Sequence, residues 1–149
     1  MRVLALDLGS RRIGVAVSDS EGRVATPIEV VERPRHTSQL HRQIAGLVAD
    51  WEVELVLVGL PVDLEGRLGP AATGVLAERE ELAAALSVPV EVHDERLTTR
   101  IAERALREQG GLDGRARRKV VDMVAAAVIL QDWLDRSTAD APSEEDPTL

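Results

Sequence analysis

Two apolar stretches carry a carboxylate where an aliphatic residue is expected, and a third segment ends in a pair of acids. Arg2–Ser10, RVLALDLGS, reads as a buried strand with Asp7 near its end. Val120–Leu130, VVDMVAAAVIL, has Asp122 as its one charge among eleven residues, and Asp94-Glu95 follows a further strand-like segment, Val88–His93. A buried carboxylate without compensation is strongly destabilising. Carboxylates gathered in one place repel each other and are driven toward protonation, and a divalent cation reverses that preference. Oxygen-only ligands, without Cys or His, suit Mg²⁺ or Mn²⁺. Pairs of such ions stabilise the attacking and leaving oxygens of a phosphodiester displacement. Asp7 is therefore read as a metal ligand, provided that the fold brings the other acids to it.

The elements decide whether it does. Val3–Leu8 is a short apolar strand, and Ile13–Ser18 alternates apolar with small or polar residues, as a half-buried strand does. Asp19-Ser-Glu-Gly22 is a turn leading to a third strand, Arg23–Val31, which Pro34 ends. Thr37 or Ser38 is placed to cap a helix to about Trp51. Glu54–Leu60, ELVLVGL, has the continuous apolar pattern of a strand buried on both faces. A Gly/Pro-rich loop precedes a helix over roughly Ala71–Leu86, and Val88–His93 is a fifth strand. Thr98 or Thr99, more as caps than as substrate ligands, opens a helix to about Gln109; the last helix spans about Gly114–Asp135.

The order β-β-β-α-β-α-β-α-α implies an α/β domain, with three meandering strands and two more reached by right-handed crossovers. It matches the ribonuclease-H-like fold, a five-stranded mixed sheet with helices on its faces. Strand direction then sorts the acids. The first, fourth and fifth strands run parallel, so Asp7, Gly59-Leu-Pro61 and Asp94-Glu95 share the rim of C-terminal strand ends, where ligands of such sheets bind. Arg11 and Arg12 open the second strand at the same rim. Asp19 lies at the far end of that strand, roughly 23 Å away, and is a turn residue. The alanines after Asp122 allow the last helix to approach the sheet. On pattern alone, Asp122 either joins Asp7 or pairs with Arg118 or Lys119.

Composition limits the alternatives. The chain of 149 residues suits one domain with a real core, and its only aromatics are Trp51 and Trp133. That argues against modules that stack bases on exposed rings. Cysteine is absent, which excludes disulfides and thiolate metal sites. The N-terminus does not read as a signal peptide, no apolar run approaches the ~18 residues of a membrane span, and the cytoplasm is the expected location. The net charge of −8 discourages nucleic-acid binding, but STADAPSEEDPTL after Arg136 holds four acids and no base. The chain divides into a domain over 1–136 and an acidic tail, 137–149, of disordered composition. Bases cluster elsewhere: Arg11 and Arg12; Arg33, Arg35 and His36; Arg96, Arg100 and Arg104; and Arg115, Arg117, Arg118 and Lys119.

Four blocks, in order, resemble one family: LALDLGSRRIGVAVSD (Leu4–Asp19), VGLPVDLEGRLGP (Val58–Pro70), DERLTT (Asp94–Thr99) and VVDMVAAAVILQDWL (Val120–Leu134). The chain resembles the YqgF family, also called RuvX: Holliday-junction-resolvase-like proteins associated with maturation of the 16S rRNA 5′ end. The resemblance runs from Met1 to about Asp135. It implies a ribonuclease-H-like nuclease with an acidic triad that is both catalytic and metal-binding, here Asp7, Glu95 and Asp122. Strand alternation alone leaves Asp94 and Glu95 equal, and the resemblance selects Glu95. The family's glycine-proline loop commonly reads LPLNMDGSEGPRA. Here Asp63, Glu65 and Ala71 stand for its Asn, Asp and Arg, which bears on substrate contacts and makes Asp63 and Glu65 rival metal ligands.

The resulting expectation is a Mg²⁺- or Mn²⁺-dependent nuclease of nucleic acid, RNA above DNA, with 16S rRNA maturation as its role. Arg11, Arg12, Arg96, Arg115, Arg117, Arg118 and Lys119 are the candidate nucleic-acid contacts, since the arginine fork fits phosphate oxygens. A monomer or weak homodimer is expected, without a membrane partner. The alternatives are a Holliday-junction or other structure-specific DNA nuclease and a non-catalytic assembly factor. The actin-like ATPases share an Asp-x-Gly strand but use two such domains, and this chain has room for one. His36, His41 and His93 lack metal spacing and read as surface or rim residues.

Overall fold

Alternation and direction build the sheet largely as the sequence predicts. The computed structural model describes residues 1–62, 67–95 and 114–140. Its strands are β1 (Val3–Leu8), β2 (Arg12–Ser18), β3 (Ala25–Glu32), β4 (Leu55–Leu60) and β5 (Val90–Asp94). The described helices are α1 (Thr37–Asp50), α2 (Pro70–Ala85) and α3 (Gly114–Asp140). The strands form one mixed sheet in the order β3-β2-β1-β4-β5. β1 pairs antiparallel with β2 and parallel with β4, β2 pairs antiparallel with β3, and β4 pairs parallel with β5. The helix expected over Thr98–Gln109, with Arg96, lies outside the described residues, as do Asp63 and Glu65.

Two cores separate the helices by face. Leu4, Leu6, Val15 and Val56 point to one side, against Leu40, Ile44 and Val48 of α1 and Val75 and Leu82 of α2. Val3, Ala5, Ala16, Leu55 and Leu57 point to the other, against Ala126, Ile129, Leu130 and Leu134 of α3. The stripes of α1 and α2 recur at three- and four-residue steps, so these helices bury one face and expose the other, whereas every residue of α3 from Val120 to Leu134 is at least partly buried. β4 is buried on both sides from Leu55 to Gly59, as its continuous apolar run requires.

The boundaries shift for local reasons. Asp19 is a turn residue: its carboxylate accepts the N–H groups of Arg23 (2.7 Å) and Val24 (3.1 Å), and Gly22 supplies the positive φ of 70° that the turn needs. This holds Arg23 and Val24 in the turn, so β3 starts at Ala25. A register shift at Val15/Ala16 faces Pro27, a residue tolerated at an irregularity of an edge strand because it has no N–H to donate. The expected cap of α1 is corrected: His36 holds that position and makes no side-chain cap bond, and Thr37 is already helical. α2 starts at Pro70, one residue early, since proline's fixed φ suits the first helical turn. α3 continues to Asp140, beyond the expected Asp135. Gln131 and Asp132 form i,i+4 bonds with Asp135 (3.0 Å) and Arg136 (2.9 Å) on the way. No described helix is long and apolar enough to cross a membrane.

Candidate active site

The site is a row across the sheet, built by register. Asp7 of β1 faces Gly14 of β2, and Gly59 follows Val58, the β4 partner of Leu6. His93 of β5 faces Gly59. Paired residues share a face of the sheet, and this row lies on the α3 side. Both glycines beside Asp7 are there for lack of a side chain. A methyl on Gly14 would collide with the Asp122 backbone carbonyl, so α3 touches β2 at the residue that carries the carboxylate. A methyl on Gly59 would lie 2.6 Å from Glu95 Oε2 and 2.6 Å from Ile129 Cδ1. The two glycines thus admit Asp122 from one side and Glu95 from the other, with Asp7 between them.

The electrostatics follow from this crowding. Burial, reinforced by the negative charge of Asp122, pushes the Asp7 carboxyl up to about 6. Burial, then the charges of Asp7 and Asp94, push Glu95 up to about 7. Asp7 therefore couples to both other acids. Asp94 is exposed, whereas Glu95 turns in over Gly59, which agrees with Glu95 as the inward member of the pair. The Glu95 N–H binds the Leu60 carbonyl (3.2 Å), extending the β4–β5 ladder to the carboxylate.

Asp122 is paired, but with neither Arg118 nor Lys119. Arg12 Nε donates to Asp122 Oδ2 at 2.7 Å, with both side chains partly exposed (26% and 20%). Arg12, expected as a phosphate contact, is thus in this structure the counter-ion of an acid in the row. Arg11, Arg67, Arg118 and Lys119 are exposed. The Arg115 and Arg117 side chains lie outside the described part. Among the described residues no three acidic or imidazole groups converge closely enough to enclose one ion. The donor set nonetheless fits Mg²⁺ or Mn²⁺, because it consists of carboxylates whose mutual repulsion a cation would relieve.

Two features were not read from the sequence. His93 is at the rim, as one of the two expected alternatives had it, but it is partly buried and has an unforeseen partner: its Nε2 lies 2.6 Å from Asp132 Oδ2 on α3, which also accepts from Arg136 Nε (2.9 Å). Its two-residue step from Glu95 was the available signal. Arg33, following the end of β3, donates Nε–H to the Gly9 carbonyl (2.7 Å), and its fork grips both oxygens of Glu78 on α2 (2.8 Å each). The Arg33 N–H binds the Arg11 carbonyl (2.9 Å), so this residue braces the turn between Asp7 and Arg12.

A five-stranded mixed sheet with an acidic row at its C-terminal strand ends, flanked by helices on both faces, is the ribonuclease-H-like arrangement. The solved structure of Thermus thermophilus RuvC in complex with a Holliday junction superposes with a TM-score of 0.57 at 20% identity, over 95% of this chain and 98% of that one, a likeness of fold. A family model described as RuvX, Holliday junction resolvase, matches residues 1–136. Relatives named for pre-16S rRNA nuclease activity include one from Mycobacterium sp. (strain KMS), 45% identical over 96% of this chain and 86% of its own length. Another, from Anaeromyxobacter sp. (strain Fw109-5), is 49% identical over 91% of this chain and 97% of its own. The chain belongs to the RuvX family, and with it to the nucleases, hydrolases of the phosphodiester bonds of nucleic acid.

Proposed function

We propose that this nuclease is metal-dependent, that Asp7, Glu95 and Asp122 hold the metal, and that its substrate is RNA, with precursor 16S rRNA as the physiological target. The observation that supports the site is the row Gly14–Asp7–Gly59, which admits one acid on each side of Asp7. The names of the 45–49% identical relatives support the substrate. A bound divalent cation would lower the pKa of attacking water and offset charge on the departing oxygen. The chain's own residues supply the rest. Asp7 and Glu95, whose carboxyls are raised to about 6 and about 7, would hold the cation in their ionised forms. Arg11, at the rim, is exposed and able to take a flanking phosphate in its fork. The Gly9 turn between Asp7 and Arg11 is braced by Arg33.

The test is cleavage of end-labelled precursor-rRNA fragments, unrelated RNA and four-way DNA junctions with Mg²⁺, Mn²⁺ or EDTA. RNA cleavage that EDTA abolishes is expected. Asp7→Asn, Glu95→Gln and Asp122→Asn should each lower it by about 100-fold or more, on the scale of losing transition-state charge stabilisation. Near-normal activity of Asp122→Asn would move the third ligand to Asp63 or Glu65, and cleavage of junctions alone would replace RNA by DNA as substrate.

A further inference from the structure

We infer that Arg12 is an exchangeable counter-ion: it holds Asp122 in the metal-free protein and leaves it for a substrate phosphate when a divalent cation enters. The inference rests on the metal-dependent reading above and adds a residue that the cation must displace.

The contact itself is suited to exchange. It is single-point, through Nε alone, and among the described residues the other guanidinium nitrogens of Arg12 make no hydrogen bond. Arginine held for structure alone is better used as Arg33 is, with its fork on both oxygens of Glu78 and its Nε–H on a carbonyl. Both Arg12 and Asp122 retain solvent access, so neither partner is trapped.

Both backbones are nevertheless fixed. Arg12 opens β2, and its carbonyl accepts the Gly9 N–H (3.0 Å) in a turn braced by Arg33. The Asp122 backbone rests against Gly14. The exchange therefore needs a change of side-chain rotamer and no movement of an element.

Charge supplies the direction. A cation between Asp7 and Asp122 would neutralise Asp122 better than a partly exposed guanidinium and would repel that guanidinium. The released Arg12 stands beside Arg11 at the rim where a phosphodiester must approach, and its fork then has a phosphate to grip.

The experiment measures Mn²⁺ binding by calorimetry and melting temperature, then binding of a non-cleavable phosphorothioate RNA oligonucleotide with Mn²⁺ present. It compares the wild type, Arg12→Gln and Asp122→Asn. Arg12→Gln should melt lower than the wild type in EDTA, bind Mn²⁺ about threefold or more tightly, and bind the oligonucleotide about threefold or more weakly. An arginine that merely positions Asp122 as a ligand gives the opposite sign for the metal, so Mn²⁺ affinity that falls or stays level in Arg12→Gln overturns the exchange. Arg12→Lys, which keeps the charge without the Nε–H, is the second variant should Arg12→Gln not fold. It too should bind Mn²⁺ more tightly than the wild type, and weaker binding overturns the inference. The parent reading fails separately. Wild-type protein that binds no Mn²⁺, with or without oligonucleotide, overturns both, whereas wild-type binding that Asp122→Asn loses and Arg12→Gln does not improve overturns the exchange alone.

Discussion

Asp7 and Glu95 are held in a state that folding alone does not favour. Their carboxyls are raised to about 6 and about 7, from the ordinary 3.8 and 4.5. A carboxyl whose folded value is raised contributes most to stability when protonated, below its ordinary value, and loses that contribution as pH rises through the folded value. In EDTA, therefore, Asp7→Asn should be more stable to urea unfolding than the wild type at pH 7.5, by a margin on the order of 1–3 kcal/mol. The margin should vanish near pH 4, and a margin independent of pH would show that Asp7 is not under this pressure. Saturating Mn²⁺ should reverse the order at pH 7.5, because the wild type alone keeps the full ligand set. Gly59 offers a second residue-scale test. Gly59→Ala presses on Glu95 Oε2 and Ile129 Cδ1, both ends of movable side chains, so the protein should fold with a loss of about 1–3 kcal/mol. Cleavage and the Mn²⁺ response should fall far more than that loss explains. Gly46→Ala on α1, where a methyl meets nothing within 4 Å, should instead stabilise by about 0.5–1 kcal/mol in urea unfolding and leave cleavage unchanged.

Elements carry the site through their connections. Arg33 joins β3, the Gly9 turn and α2 through Glu78, so a defect in α2 should be felt at the rim. Glu78→Gln should cost about 1–3 kcal/mol, since a bidentate, partly buried charge pair is deprived of one partner. It should also lower cleavage, although Glu78 touches nothing in the acidic row. A double-mutant cycle with Arg33→Met should give a coupling of about 0.5–3 kcal/mol, and a coupling of zero would dismiss the brace. The same elements show what the sequence made legible. The five strands were readable because alternation in β2 and the unbroken apolar run of β4 report burial directly, and strand direction put Asp7 and Glu95 on one rim. Asp122 stood out as a lone charge in an apolar helix. The partners of these residues were not readable. Arg12 and Asp122 are 110 residues apart and Arg33 and Glu78 are 45 apart, so each pairing depends on where α3 and α2 cross the sheet. Local spacing offered only Arg118 and Lys119 as partners for Asp122, as the alternative to its joining Asp7, but the close approach at Gly14 brings α3 within reach of Arg12. The cap of α1 failed similarly, because Thr37 fits the local pattern while the chain turns one residue earlier.

For the whole molecule, the formal charge of −8 hides an uneven surface. Arg118 and Lys119 are exposed on α3 one turn before Asp122, and Arg115 and Arg117 share that run. Replacing all four by Gln should weaken RNA binding uniformly across sequences. It should also flatten the log–log salt dependence by about 0.7 for each single-strand phosphate that is no longer neutralised. An unchanged slope would leave the run as solvated surface. The long separation between Arg12 and Asp122 has a further meaning when the molecule is viewed in time. At the usual pace of synthesis, those 110 residues take roughly 5–20 s to make. Throughout that interval the emerging β1 and β2 display Asp7 without its counterpart, and the face formed by Val3, Ala5 and Ala16 lacks the helix that covers it. The acid that completes the row is delivered by the last described element of the chain. If Asp122 is the third ligand, as proposed above, the metal site has to wait for that element, however early the sheet that carries Asp7 has formed.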